Sequence, residues 1–222
     1  MRPADGAAWI TGASGGIGRA VALRLAAEGW TVHATARRPE ALDALAEEAS
    51  GCTRCALSGS RTQVVFGSGA PNADLMFVGE GPGAEEDRQG LPFVGRSGQL
   101  LDRLLSQELG LDRSAYYITN VVKCRHPENR DPKPDEIAAC RPFLGNQLES
   151  VDPKVVVTLG NFASKLLLDT DVGITRLRGQ SYEFSGRHLV PTFHPAAALR
   201  GGGDVLACLR SDLVRAKRLM GG

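Results

Sequence analysis

The sequence lacks any apolar run near the ~20 residues that a helix needs to cross a bilayer. Its first six residues, Met1–Gly6, lack the apolar stretch and cleavage site of a secretory leader. The chain is therefore expected in the cytoplasm. It also lacks a charge excess of either sign. The net charge is +1, with five basic against six acidic residues up to Ser50 and 21 against 19 from Gly51 onward. That excludes a strongly basic, histone-like binder, but not a compact enzyme with a local basic strip. Internal repeats and low-complexity tracts are missing too. Cysteine is sparse and odd in number, at five. In a reducing compartment this argues against a disulfide framework. What is present is an ordinary globular composition of 222 residues, 42% hydrophobic and 23% charged. That suffices for one domain of roughly 100–200 residues plus an appendage.

The first fifty residues follow their own pattern. A short apolar strand, Ala7–Thr11, leads into the glycine-rich turn Gly12–Gly18. A helix over Arg19–Glu28 and a strand over Thr31–Thr35 follow, then Arg37 and Arg38. Glycines before a helix N-terminus allow a pyrophosphate to approach closely. The string Thr11-Gly12-x-x-x-Gly16-Ile17-Gly18 resembles the start of short-chain dehydrogenases, and the two arginines resemble an NADP preference. The rest of that family's machinery is absent. No Tyr-x-x-x-Lys occurs, because Asn120, Val121 and Gly186 lie four residues beyond Tyr116, Tyr117 and Tyr182. Two strands alone cannot bury both faces of a parallel sheet. Residues 1–40 are therefore expected to be a non-functional βαβ fragment. An amphipathic helix across the join, Glu40–Ser50, leads into a second domain, residues 41–222.

That second part alternates strands and helices. Strands are expected at Asp74–Val78, Tyr116–Val122, Lys154–Thr158 and His188–Thr192. Helices are expected at Gln99–Leu109, Pro134–Ser150, Phe162–Leu168 and Gly203–Arg218. This order implies an α/β fold with a central, mostly parallel four-stranded sheet covered on both sides.

Four cysteines form a constellation. Cys52-x-x-Cys55 follows a helix, Cys124 ends a strand, and Cys140 lies in the next helix. Four thiolates suit a structural zinc ion or a 4Fe-4S cluster. Spacing alone leans toward zinc. Cys208, on the last helix, stands apart.

Ligands of open α/β sheets bind beyond the carboxyl ends of the strands. There the sequence places Glu80 and Gly81, then Asn120, then His194, with Phe93 on a loop able to stack on a flat ring. Each has an ordinary reading as a core or loop residue. All four fall beside one predicted crevice.

Taken together, these segments resemble a family 4 uracil-DNA glycosylase, from about Ala41 to Leu219. The strings that carry the likeness are Gly79-Glu80-Gly81-Pro82-Gly83-Ala84-Glu85-Glu86-Asp87 and Gly90-Leu91-Pro92-Phe93-Val94-Gly95. Tyr117-Ile118-Thr119-Asn120-Val121-Val122-Lys123-Cys124-Arg125, Asn129-Arg130 and His194-Pro195-Ala196-Ala197-Ala198-Leu199-Arg200 follow. The resemblance implies a three-layer fold and an enzyme that hydrolyses the N-glycosidic bond of uracil in DNA. It turns the metal from zinc to a 4Fe-4S cluster on Cys52, Cys55, Cys124 and Cys140. It implies that Phe93 stacks on the flipped uracil, that Asn120 pairs with its edge and that Gly81 offers a backbone N–H. His194 would stabilise the leaving anion. Family 1 enzymes carry a water-orienting aspartate where Gly81-Pro82 stands here, which leaves Glu80, and after it Glu86, to position water. Arg96, Lys123, Arg125, Arg130 and Arg200 are expected on DNA phosphates, with Leu199 as a wedge in the base stack. His126 stands where many relatives are expected to carry proline. The expected partner is uracil-containing DNA, single- or double-stranded, met by a monomer. Two rival readings are an NADP-dependent oxidoreductase, supported by the first fifty residues only, and a non-catalytic iron–sulphur DNA-binding module.

Overall fold

The computed structural model describes residues 7–10, 16–34 and 39–221. The glycine turn from Gly12 to Gly15 and the pair Arg37–Arg38 lie outside the described residues, so the cofactor contacts expected there have no structural counterpart. Strands β1 (Ala7–Ile10) and β2 (Thr31–Ala34) pair in parallel and are joined through helix α1 (Gly16–Ala27). This pair is thinly covered: Trp9 is 74% exposed and stacks on His33, with ring centroids 4.2 Å apart.

Helix α2 (Pro39–Ser50) packs against α5 (Pro134–Val151). Leu42 and Ala49 are buried on it. The amphipathic helix across the join thus packs against the glycosylase-like part of the chain.

Among the described residues, a second sheet has six strands. Its members are β3 (Ser68–Gly69), β4 (Leu75–Gly79), β5 (Tyr117–Asn120), β6 (Val155–Leu159), β7 (Tyr182–Phe184) and β8 (Arg187–Thr192), in the order β3-β5-β4-β6-β8-β7. The four central strands are parallel, and the two edge strands run antiparallel. The expected four-stranded core is present, with a short strand added at each edge. The expected strand Tyr116–Val122 is shorter, because beyond Asn120 the chain bends away. Val121 and Val122 still donate to the carbonyls of Gly79 and Glu80, which draws the following residues beneath the sheet.

Side chains alternate between the sheet's faces with the period of two that a strand imposes. Leu75 and Phe77 enter one core with Leu101, Leu104 and Leu105 of α4 (Arg96–Leu109) and Leu209 and Leu213 of α9 (Gly203–Met220). Met76 and Val78 enter the other with Leu42, Leu144 of α5 and Ala163 of α6 (Asn161–Leu168). Both faces are therefore covered, and β4, β5 and β6 are buried at every residue. Each leucine taken out of water contributes about 1.5–3 kcal/mol. Helix α4 stops at Gly110, whose φ of 72° lets its N–H reach back to Leu105 and Ser106. From β4 the chain passes to β5 on one side, and from β6 to β8 on the other. The crevice opens where those paths diverge.

Candidate active site and four-cysteine cavity

Glu80, Gly81, Phe93, Asn120 and His194 line one cleft at the carboxyl end of the sheet. The sequence placed all five there. Glu86, His126 and Arg200 join them, and His126 had been noted only as a departure from the family pattern.

Asn120, 1% exposed, ends β5. Its Oδ1 is buried with no hydrogen-bond partner. Such an acceptor costs about 1–3 kcal/mol until a donor arrives. A Cβ at position 79 would collide with that oxygen and come within 2.6 Å of Phe93 Cζ, which explains Gly79.

Phe93 holds a left-handed backbone, φ 53°, that a bulky residue rarely adopts. Three features enforce it. Arg113 donates to the carbonyls of Pro92 and Phe93. Glu86 Oε1 accepts from the N–H groups of Val94 at 3.0 Å and Gly95 at 2.9 Å. Gly98 leaves space where any Cβ would strike the Phe93 carbonyl. Arg113 is itself anchored by Asp102 at 2.9 Å. Strain maintained this firmly at a cleft marks a ring whose position matters. Glu86, expected near the reacting water, thus has one oxygen committed to the Phe93 loop. Neither Arg113 nor Gly98 carried a motif signal, since their partners lie in a different segment.

His194 caps helix α8 (Pro195–Gly201), and its Nδ1 accepts from the Ala196 N–H at 3.1 Å. The proton of the neutral ring therefore sits on Nε2. Loss of hydration pushes His194 down to about 4; Arg200 adds to the shift and Glu86 opposes it. The ring lies 5.8 Å from Phe93, centroid to centroid. Beneath it, the Thr192 hydroxyl donates to Asp212, which is also held by Arg178 through two oxygens at 2.9 and 2.8 Å. Asp212 has no exposed surface. Desolvation raises Glu80 above the usual carboxylate range, and Asp131 adds to it. His126 is 4% exposed, with Nε2 lacking a partner, and its ring fills the space beside Gly81.

The basic residues divide. Arg96 and Arg200 are exposed, Leu199 is 46% exposed, and Arg125 is half-buried. Arg130 is bound to Glu136 through two hydrogen bonds, at 2.9 and 2.6 Å, which hold that carboxyl down at about 2. Its guanidinium therefore braces the segment before α5. Lys123 is 1% exposed and cannot reach a phosphate, so its expected place on DNA is corrected: the bend after β5 turns it inward.

Cys52, Cys55, Cys124 and Cys140 line a single cavity with Arg54, Arg61, Lys123 and Phe143. Arg61 donates to Cys124 Sγ at 3.4 Å. Burial pushes Cys124 up to about 11 and raises Cys140 as well. Among the described residues, no three His, Cys, Asp or Glu side chains converge to hold one ion. Zinc thiolates, at about 2.3 Å from the metal, must converge in that way. The four thiols instead surround a space. Cys208 is not among them.

The family model for the uracil DNA glycosylase superfamily matches residues 66–214. The chain belongs to this superfamily. A type-4 uracil-DNA glycosylase of Sulfurisphaera tokodaii is 45% identical over 168 residues, covering 72% of this chain and 76% of that protein. One from Thermotoga maritima is 45% identical over 183 residues, covering 81% of this chain and 95% of that protein. The latter alignment is too long to leave out Cys52 and Cys55. At the other end, residues 6–60 match the short chain dehydrogenase model. A sulfoacetaldehyde reductase of Chromohalobacter salexigens is 56% identical there over 43 residues, covering 19% of this chain and 17% of that protein. In this glycosylase-superfamily chain the cleft draws on β4, β5 and β8, all within the matched region. No helix among the described residues is long and apolar enough to cross a membrane.

Proposed function

We propose that the chain is a uracil-DNA glycosylase of the type-4 kind, which hydrolyses the bond between uracil and deoxyribose and leaves an abasic site. The observation that carries this reading is the unpartnered Oδ1 of Asn120, facing a fixed aromatic ring and a neutral histidine. Uracil presents N3–H beside O4. An amide matches that pair with Oδ1 and its NH₂, whereas cytosine presents the opposite pattern. A flipped base would stack on Phe93, after unstacking at a cost of a few kcal/mol. His194 Nε2–H would donate to O2. As the C1′–N1 bond breaks, its electron pair moves onto the uracil ring, and this preorganised donor stabilises the anion. Water adds to the oxocarbenium-like C1′ and passes its proton to Glu80. Glu86 holds the stacking loop. Arg96, Arg125 and Arg200 suit backbone phosphates, and Leu199 suits the gap left by the base.

Cys52, Cys55, Cys124 and Cys140 would hold a 4Fe-4S cluster. Four thiols surrounding a space, rather than meeting at a point, support that choice over zinc. Bound there, the cluster supplies a cross-link between the α2 end, the β5 end and α5. Residues 1–40 are an appended dehydrogenase-like segment that adds nothing to this reaction, and residues 41–222 act as a cytoplasmic monomer.

The test is release of free uracil from single-stranded and U·G-containing DNA. It is run on the full chain, on a chain beginning at residue 40, and on Asn120→Ala and Arg88→Ala. Release by the first two, its loss in Asn120→Ala and its retention in Arg88→Ala are expected, with an absorbance band near about 400 nm from iron–thiolate charge transfer. Colourless protein loaded with zinc would overturn the cluster, and absence of uracil release by iron-loaded protein would overturn the activity.

A further inference from the structure

Lys123 connects the two sites. Its ammonium donates to Thr119 Oγ1 at 2.7 Å, the Asn120 carbonyl at 2.6 Å and Gln147 Oε1 at 2.6 Å. All three groups face it as acceptors. The Gln147 amide nitrogen is engaged with the Phe66 carbonyl at 2.8 Å and Tyr117 Oη at 3.1 Å, leaving Oε1 toward the lysine. The Thr119 hydroxyl donates to the Phe66 carbonyl at 2.7 Å. Three acceptors require three N–H donors. An ammonium has three and a neutral amine only two, so the geometry calls for the charged form.

The other end of the residue belongs to the cysteine cavity. The Lys123 backbone N–H donates to the Cys140 thiol, and Cys124 follows in the chain. No ion pair with a carboxylate compensates the ammonium among the described residues, and the charges it senses are those of Cys140 and Cys124. A buried cation without an anion is strongly unfavourable. Four thiolates around a 4Fe-4S core carry a net negative charge and would supply one.

We propose that Lys123 is a positioning residue that couples the four-cysteine site to the base-reading Asn120. The negative charge of the bound cluster holds the ammonium, the ammonium holds the Asn120 carbonyl, and the Asn120 amide is thereby set against the flipped base. This rests on the readings that the four cysteines bind the cluster and that Asn120 reads uracil.

The decisive variant is Lys123→Met, which keeps the length and removes the charge. It is expected to load iron like the wild type and to bind abasic-site DNA with unchanged Kd. Free uracil should inhibit it at least tenfold more weakly. Its cluster potential should shift to more negative values, because a cation favours the reduced, more negative cluster. Bleaching of the iron band by ferricyanide should accordingly be faster. Iron-loaded Lys123→Met with wild-type uracil inhibition and wild-type potential overturns the coupling. Where that variant does not load iron, Gln147→Glu decides, since it gives the ammonium a carboxylate of its own. Gln147→Glu stripped of iron by chelator should still be inhibited by free uracil, while stripped wild type is not. Equal behaviour of the two stripped proteins overturns the coupling. Wild-type protein without iron, or with uracil release surviving Asn120→Ala, defeats the underlying readings instead.

Discussion

Replacing Glu86 separates a group that moves protons from one that holds a loop. Its Oε1 accepts both the Val94 and the Gly95 N–H, and the side chain is 8% exposed. A hydrogen bond to a charged acceptor contributes about 1.5–3 kcal/mol and a neutral one about 0.5–1.5 kcal/mol. Glu86→Gln keeps the shape and one carbonyl oxygen, so the pair should weaken by roughly 2–3 kcal/mol. If all of that falls on the placement of Phe93, uracil release slows by about 30- to 150-fold. Glu86→Ala leaves both N–H groups without an acceptor and should be slower still, each unpaired group costing about 1–3 kcal/mol. The assay is the initial rate of uracil release from pH 5 to 9. Glu86→Gln should be slower with an unchanged pH profile, because the carboxylate transfers no proton. A Glu86→Gln enzyme as inactive as Glu86→Ala, with its acidic limb abolished, would refute the loop-holding role and restore Glu86 as a base.

Two further predictions concern groups around the cleft. His194 is lowered to about 4 from 6.5, so the folded protein binds fewer protons than the unfolded chain between those values. His194 should thus withdraw stability as pH falls from about 6.5 to about 4, without altering activity through pH 6. Nitrogen NMR should show Nδ1 unprotonated at pH 5.5, and an imidazolium there would refute the assignment. Asp212→Asn breaks the buried pair with Arg178, at a cost of about 3–5 kcal/mol. For a chain of this size that lowers Tm by roughly 6–20 °C, and a calorimetric shift under about 2 °C would refute it.

The parts of the fold that can be read from the sequence have strong local periodicity. β6 reads as buried from Val155, Val156 and Val157, and α4 from its leucine spacing. The cleft is readable because strand ends in an open α/β sheet converge, so Glu80, Asn120 and His194 could be brought together without knowing a single distance. The two edge strands are not readable, because two or three residues carry no period. Lys123 is misread for a different reason. It precedes Arg125 in a basic stretch, and charge alone does not say which way a side chain points. The acceptor that turns it inward, Gln147, lies 24 residues later. Glu86 is misread similarly, since its acidity is visible but its partners on a neighbouring loop are not. Gly98 is needed only because Phe93 folds back over it, a contact between segments that no motif records.

The ways in which the two sheets end have unequal consequences. The six-stranded sheet finishes on Ser68–Gly69 and Tyr182–Phe184, too short to template another chain. The β1–β2 pair has no further strand on either side among the described residues, and its Trp9 is open to solvent. Unpaired edges of this kind recruit strands from neighbouring molecules. Any strand-mediated self-association of the purified protein therefore resides in residues 7–34, and a chain trimmed to begin at residue 39 is the form to concentrate for crystals or spectroscopy.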